Sequence, residues 1–351
     1  MQGTIKAVRG TPGRKSWSSH STGRRAAGLV LAGLTLLVIV VLSLAVGTRE
    51  IPLHEVFDAV FHNTDTDDQL VVTSLRVPRT LIGLCVGASL GLAGALIQAL
   101  TRNPLADPGL LGVNSGAAAA IVIGIAWLGL DSPWQYVWLG VAGAALVSCV
   151  VYLLGSRGTG RATPARLALA GIAVTAVLTG LVQAITLLSP AAFDAFRFWQ
   201  VGSLDNRGTG VLRQVLPLMA AGTVLGLALV RPLNAMALGE EAGRALGAHP
   251  ARTRLLGALA ITLLCGSATA AVGPIVFVGL AVPHIARGIV GPDQRWVLPY
   301  SLVLAPTVLL AADIVGRVVA RPGELQAGMV TAFLGAPVLI ALVRRGKVSS
   351  L

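Results

Sequence analysis

Apolar windows recur along this chain with short polar clusters between them, near residues 28–47, 81–100, 112–129, 136–155, 167–189, 213–230, 255–272, 276–289, 296–316 and 325–343. A helix rising ~1.5 Å per residue needs about 20 apolar residues to cross ~30 Å of hydrocarbon, and most of these windows are long enough. They are continuously apolar, whereas a transmembrane β-barrel would show segments of ~10 residues alternating in polarity. The pattern predicts an all-α polytopic membrane protein with ten transmembrane helices. From Leu255 to Ala286 there is no Lys, Arg, Asp or Glu, which is too long for one ordinary crossing. Gly273-Pro274 divides that interval, because proline removes a helix hydrogen bond and disfavours helix at the residue before it.

Composition agrees: 54% of the 351 residues are hydrophobic and 12% are charged. The net charge of +12 would suggest nucleic acid in a soluble protein, but here the basic residues cluster at the ends of the windows, where membrane topology accounts for them. With ten crossings, Arg49, Arg76, Arg79, Arg197, Arg207, Arg213, Arg317 and Arg321 fall on one side and the other 19 of 27 Lys and Arg on the side of the termini. The positive-inside rule therefore places both termini in the cytoplasm. Acidic residues run the other way, with only Asp107, Glu240, Glu241 and Asp293 inside. Trp127, Trp134 and Trp138 gather at one outer boundary, where amphipathic rings favour the interface.

This organisation predicts a basic cytoplasmic tail over 1–26, held near anionic lipid, then a permease domain over 27–345, and a short cytoplasmic tail over 346–351. The first apolar run could pass for a signal peptide, but its length and the many later spans make it a retained first helix. Cys85, Cys149 and Cys265 lie in separate windows without CxxC spacing or a nearby histidine, so they suggest neither a disulfide framework nor a metal site.

One stretch breaks the pattern. TRNPLADPGLLGVNSG, Thr101 to Gly116, crowds helix breakers between two apolar windows. Asn103-Pro104 ends the second helix, and Asp107-Pro108 offers a helix start, although Asn114 or Ser115 could equally cap the third. Irregular backbone at membrane depth is tolerated only where protein or a water-filled cavity covers it, so the stretch is expected to be functional.

The residues Arg76 to Ala117, RVPRTLIGLCVGASLGLAGALIQALTRNPLADPGLLGVNSGA, resemble the signature of the iron-chelate and vitamin B12 family of ABC importer permeases. ALGEEAGRALGA at 237–248, VGPIVFVGLAVPHIARGIVGPDQR at 272–295 and LLAADIVGRVVARPGELQAGMVTAFLGAPVLIALVRR at 309–345 resemble it too. With FRFWQVGSLD at 196–205, the likeness runs from about residue 30 to 345. The resemblance implies a vitamin B12 importer permease-like fold in the inner (cytoplasmic) membrane. It also implies a second permease subunit, two cytoplasmic ATPases that bind ATP and Mg, and an extracytoplasmic binding protein. TRNPLADPGLLGVN, RFWQVGSLD and LCGSATAAVGPI are most similar to the ferric-enterobactin branch, which implies a ferric siderophore as cargo and a paralogous second permease. Heme and cobalamin permeases share most of these motifs.

The residues support a division of labour. No GxxxxGK[ST] occurs, the nearest fragment being Arg345-Gly346-Lys347-Val348-Ser349, so ATP hydrolysis is expected on a separate chain and no cofactor or catalytic group on this one. The largest polar cytoplasmic loop, within 231–254, is helical in composition. Glu241-Ala242-Gly243 with Gly247 fits the E-A-A-x-x-x-G spacing of importer permeases except for glycine at the third place. It is otherwise a solvated loop helix. The likeness implies that Glu240, Glu241, Arg244 and Leu246 touch an ATPase.

On the outer side, positive charge at Arg76, Arg79 and Arg317 runs against topology. Snorkelling to lipid phosphate is one account. The resemblance implies another, that they receive carboxylates from the binding protein, with Arg321 and Glu324 at the rim. Asp313 lies four residues before Arg317 and reads as its local helix partner. Thr175, Thr179, Gln183 and Thr186 give the fifth helix a polar face without formal charge, which the likeness places along the translocation path. It places Asn103, Leu105 and Thr163 near the cytoplasmic gate. Hydroxyls in membrane helices also commonly bond their own backbone.

An ion-coupled secondary transporter would carry an ionisable residue near the midplane, and these spans have none at their centres. An intramembrane enzyme would need a nucleophile with a base or a metal cluster, whereas His20, His54, His62, His249 and His284 are scattered.

Overall fold

The computed structural model describes residues 22–47, 51–61, 66–130, 132–156, 164–205 and 207–344, and among these it is helical with no strand. In chain order the helices are α1 (Thr22–Ala45), α2 (Leu53–Phe61), α3 (Asp67–Val71), α4 (Val77–Thr101), α5 (Val113–Leu128), α6 (Pro133–Ser156), α7 (Pro164–Leu188) and α8 (Pro190–Gln200). They continue as α9 (Gly208–Ala228), α10 (Val230–Ala237), α11 (Glu240–Ala245), α12 (Pro250–Val272), α13 (Val278–Val290), α14 (Gln294–Val319) and α15 (Ala327–Arg344). Seven are long and apolar enough to cross a membrane, and three more apolar helices, within α5, α13 and α15, are shorter. Every predicted window falls on one of these, and Gly273-Pro274 does separate α12 from α13.

The structure moves some boundaries. α1 starts at Thr22, so Arg24 and Arg25, expected in the tail, occupy its first turns, while 1–21 and the C-terminal tail lie outside the described residues. α3 runs through a π turn, Val72–Arg76, directly into α4, so this helix reaches well beyond its apolar window and carries Arg76 in the π turn. Such turns cluster at functional sites.

α4 and α12 are mostly buried, whereas α1 and α7 lie at the periphery. Glycine spacing explains the position of α4. In lipid, helices associate through close packing of small residues rather than a hydrophobic drive. Gly83, Gly87 and Gly91 recur every four residues on one face of α4, and a methyl group on any of them would run into Leu310, Pro306, or Ser301 and Ala305 of α14. Gly116 and Gly143 face each other at the α5–α6 crossing in the same way.

The broken stretch resolves into a compact re-entry. α4 ends at Thr101, with Arg102 in the left-handed conformation (φ 50°). The Asp107 carboxylate accepts the Gly109 N–H at 2.8 Å and opens a single 3-10 turn, Pro108–Leu111. This corrects the expected helix start: α5 begins only at Val113, because Gly112, at φ 72°, turns the chain first. Asn114 and Ser115, the alternative caps, lie inside α5, where they face other helices instead. Gln98, wholly buried in α4, donates Nε2 to the carbonyls of Ala106 (3.3 Å) and Leu280 (3.1 Å), so protein covers the irregular backbone.

Candidate functional site

Hydrogen bonds between distant elements divide the molecule into two polar ends with a cleft between. At one end, the last turn of α1, the start of α4, residues 201–205 and Arg207, the end of α14 and the turn 320–326 converge. Arg79 gives Nε and Nη2 to Asp313, at 3.0 and 2.8 Å, and Nη1 to Glu324 at 2.7 Å and Asp205 at 3.3 Å. Asp313 is 0% exposed and also meets Arg317 at 3.0 Å. Arg317, 2% exposed, donates to the Ser43 and Val46 carbonyls, both at 2.9 Å. Arg76 donates to Leu44 O and Ala45 O, and Arg321 to Gly47 O at 2.6 Å. Arg207, just before α9, gives Nε to Ser203 O at 3.4 Å, and burial lowers its pKa.

The sequence reading found the Asp313–Arg317 pair but not its extent. It also treated Arg76, Arg79 and Arg317 as surface charges, whereas the structure buries all three. The reason is local. The last carbonyls of α1 have no partner within their helix, and a buried carboxylate is tolerable only when cations and further hydrogen bonds surround it. Of the five residues expected here, Arg321 and Glu324 are the exposed ones. A well of about 240 Å³ lies over the cluster, lined by Arg76, Arg79, Arg317, Asp205 and Glu324 among others.

In the cleft, of about 430 Å³, the structure brings together Thr175, Thr179, Gln183 and Thr186 of α7 with Asn114 and Ser115 of α5. Ser115 and Thr175 hydroxyls meet at 3.2 Å, Thr269 donates to Asn114 Oδ1 at 2.8 Å, and Thr186 bonds its own helix at Val182 O, 2.9 Å. The wall is thus polar but uncharged on this side. Sequence reasoning missed the opposite wall. There α8 contributes Arg197, whose guanidinium lies 4.8 Å from the Phe198 ring centre and 3.1 Å from Asp194. The signal was the amphipathic FDAFRFW run within FRFWQVGSLD and its N-terminal neighbours. Asn103 and Leu105 are not in this cleft. Asn103 accepts the Leu105 N–H at 3.0 Å, and Leu105 lines a small apolar crevice with Phe277 and His284. Thr163 lies outside the described residues.

At the other end, α11 forms where a helix was expected. Gly239 (φ 115°) and Gly247 (φ 82°) bound it on both sides. Glu240 pairs with Arg254 and with Arg244 at 3.8 Å, which fixes the helix to the start of α12. Glu241, Ala242, Arg244 and Leu246 are exposed. Gly243, the departure from the expected alanine, is buried against the Ala235 backbone, where a Cβ would lie 3.2 Å from the Ala235 carbonyl oxygen. Arg102 donates to Met236 O and Asn234 to Asp293 at 2.7 Å, so the re-entry, α10 and the head of α14 share this end.

Ten apolar helices among the described residues, a polar cleft and a short helix exposed at one end are the parts of a transport subunit. The chain matches the FecCD transport family over residues 35–345. It belongs to that family. This FecCD chain is 52% identical to the ferric enterobactin transport system permease protein FepD of Escherichia coli (strain K12), covering 90% of this chain and 95% of that one. It is 38% identical to the probable siderophore transport system permease protein YfiZ of Bacillus subtilis (strain 168), over 91% and 96% of the two chains. The hemin transport system permease protein HmuU of Yersinia pestis is 34% identical, over 92% and 97%. A solved inward-facing metal-chelate type ABC transporter superposes with a TM-score of 0.80 at 27% identity, covering 91% of this chain and 99% of that one. The FecCD chain is thus a multi-pass protein of the cytoplasmic membrane.

Proposed function

We propose that this chain is the permease subunit of an ATP-binding cassette importer that passes a ferric siderophore from an extracytoplasmic binding protein into the cytoplasm. The observation that carries the reading is the cleft along α7, lined by hydroxyl and amide groups, in a chain 52% identical to a ferric enterobactin permease. A large chelate needs a wide path with few strong contacts, because tight binding on the way would hold it there.

In this reading all ten apolar helices cross and both termini are cytoplasmic, which the arginine and lysine distribution supports. The end formed by α1, α4 and α14 around Arg79 faces outward and docks the binding protein. The end bearing α11 faces the cytoplasm. A second permease, a paralogue, completes the path, and two separate ATPases bind ATP and Mg. Glu241, Ala242, Arg244 and Leu246 of α11 contact an ATPase, while the Glu240 pairs and buried Gly243 transmit its motion to α10 and α12 as a rigid body. ATP binding and hydrolysis then bias inward- and outward-facing states through their different contacts with α11. Asn103 and Leu105 belong to the inner gate.

The test is accumulation of radiolabelled ferric siderophore in liposomes holding this chain, its partner permease and the ATPase, with binding protein outside. Uptake that needs ATP and every component, and survives proton and sodium ionophores, is expected. Gradient-driven uptake by this chain alone would overturn the reading. Ferric siderophore, hemin and cobalamin offered in parallel separate the cargo classes within the family.

A further inference from the structure

The outer well holds a conflict between burial and docking. Arg79 has an inner edge and an outer nitrogen. Nε and Nη2 are committed to Asp313, which no solvent reaches. Nη1, the donor nearest the well, is already taken by Glu324 Oε2 at 2.7 Å, with Asp205 Oδ1 at 3.3 Å. A carboxylate entering from outside therefore finds both Nη1 hydrogens of Arg79 taken and two like charges in the wall of the well. Like charges at contact distance repel, so it can enter only if a resident carboxylate leaves.

The three residents differ in how readily they can leave. Asp313 is anchored by two arginines in a dry site, and removing it would leave both cations buried without compensation. The Asp205 side chain is 60% exposed and makes the longer contact, so it holds Arg79 weakly. Glu324, with its side chain 30% exposed, makes the short one. It sits in the non-helical turn between α14 and α15, followed directly by Leu325, whose N–H is held by Gly316 O at 3.0 Å. A side-chain rotation therefore suffices to free Nη1 while the turn stays in place. Arg317 supplies a further reason for an anion here, since its buried Nε has no hydrogen-bond partner among the described residues.

We propose that Glu324 is an internal stand-in for the docking partner's carboxylate: it caps Arg79 in the undocked permease and rotates out when an Asp or Glu side chain of the extracytoplasmic protein takes its place. This rests on the docking reading above. One charge-assisted hydrogen bond is exchanged for an equivalent one. Arg79 is never left uncompensated between docking cycles, and the net gain stays small, which suits a partner that must leave after delivery.

The experiment compares the affinity of the binding protein for the complete transporter in lipid nanodiscs at one fixed salt concentration. Glu324→Gln keeps the side chain's shape and removes the competing charge, and is expected to tighten docking by about tenfold, the scale of a close charge pair. Glu324→Asp draws the carboxylate back from Nη1, is expected to tighten docking less, and serves if the Gln variant assembles poorly. Arg321→Glu, on the exposed rim, reports whether this face docks at all. If Arg321→Glu weakens docking while both Glu324 variants leave it unchanged or weaker, Glu324 is a positioning group and the stand-in is overturned, with docking intact. If no variant at this face alters affinity, the docking reading falls and takes the stand-in with it.

Discussion

Arg79 and Asp313 stand 234 residues apart in the chain and share two hydrogen-bonded edges, Nε to Oδ2 at 3.0 Å and Nη2 to Oδ1 at 2.8 Å. The pair joins α4 to α14 at the end where α1 also terminates, along the face where the α4 glycines already bring these helices into contact. Close backbone approach and a buried ion pair thus act on one interface, and the first makes the geometry of the second possible.

Asp313→Asn removes the anion that Arg79 and Arg317 share. Breaking a buried pair from one side typically costs about 3–5 kcal/mol, because the remaining charge is left uncompensated. Thermal melting of the purified transporter in detergent should show a large loss of stability. A melting curve like that of the parent would mean that the three charged groups do not hold this end together.

Gly87→Leu tests the packing beneath that pair. The side chain would project into the Pro306 backbone, and backbone cannot yield as a flexible side chain can. Overpacking of this kind costs about 1–3 kcal/mol or more. Lower stability and poor recovery of the assembled complex are expected, while Gly33→Leu, on a face with open space, should behave as the parent does.

Glu241→Arg addresses the α11 contact. Glu241 is exposed, so its reversal should leave thermal stability within about 0.5 kcal/mol. Copurification of the ATPase and ATP-driven uptake should both fall. Normal copurification with normal uptake would remove α11 from the coupling surface. Reversal of Glu240 is a poorer probe, since its pairing with Arg254 would be lost as well.

Thr179→Trp places a large ring on the exposed cleft wall of α7. Uptake is expected to fall at least roughly tenfold, a barrier of about 1.4 kcal/mol, while ATPase attachment and stability stay near the parent's. Unimpaired uptake would show that cargo does not pass this wall.

Much of the architecture was legible along the chain because a bilayer leaves few options: backbone polar groups must be satisfied within each span, so spans are apolar helices and charge collects at their ends. The ten windows, the division at Gly273-Pro274, the helix around Glu241 and the polar face Thr175–Thr179–Gln183–Thr186 all follow from local pattern. The start of α5 did not, because whether Asp107, Gly112 or Asn114 sets it depends on which neighbours are available. Asn114 proves to be turned toward Thr269, and Gln98 has claimed the Ala106 carbonyl.

The arginines around Asp313 mark the same boundary more sharply. Their number and their clustering at the ends of apolar windows can be counted in the chain, since charge placement answers to the bilayer, which acts on every span alike. Whether each guanidinium faces water or the interior cannot be counted. Arg76, Arg79 and Arg317 are buried because α1 ends beside α14 with unpaired carbonyls, and because Asp205, Asp313 and Glu324, remote from one another or from Arg79 in the chain, converge there. Periodicity and charge are properties of neighbours in sequence and survive without a fold, whereas a buried charge is stable only in the company that tertiary packing assembles.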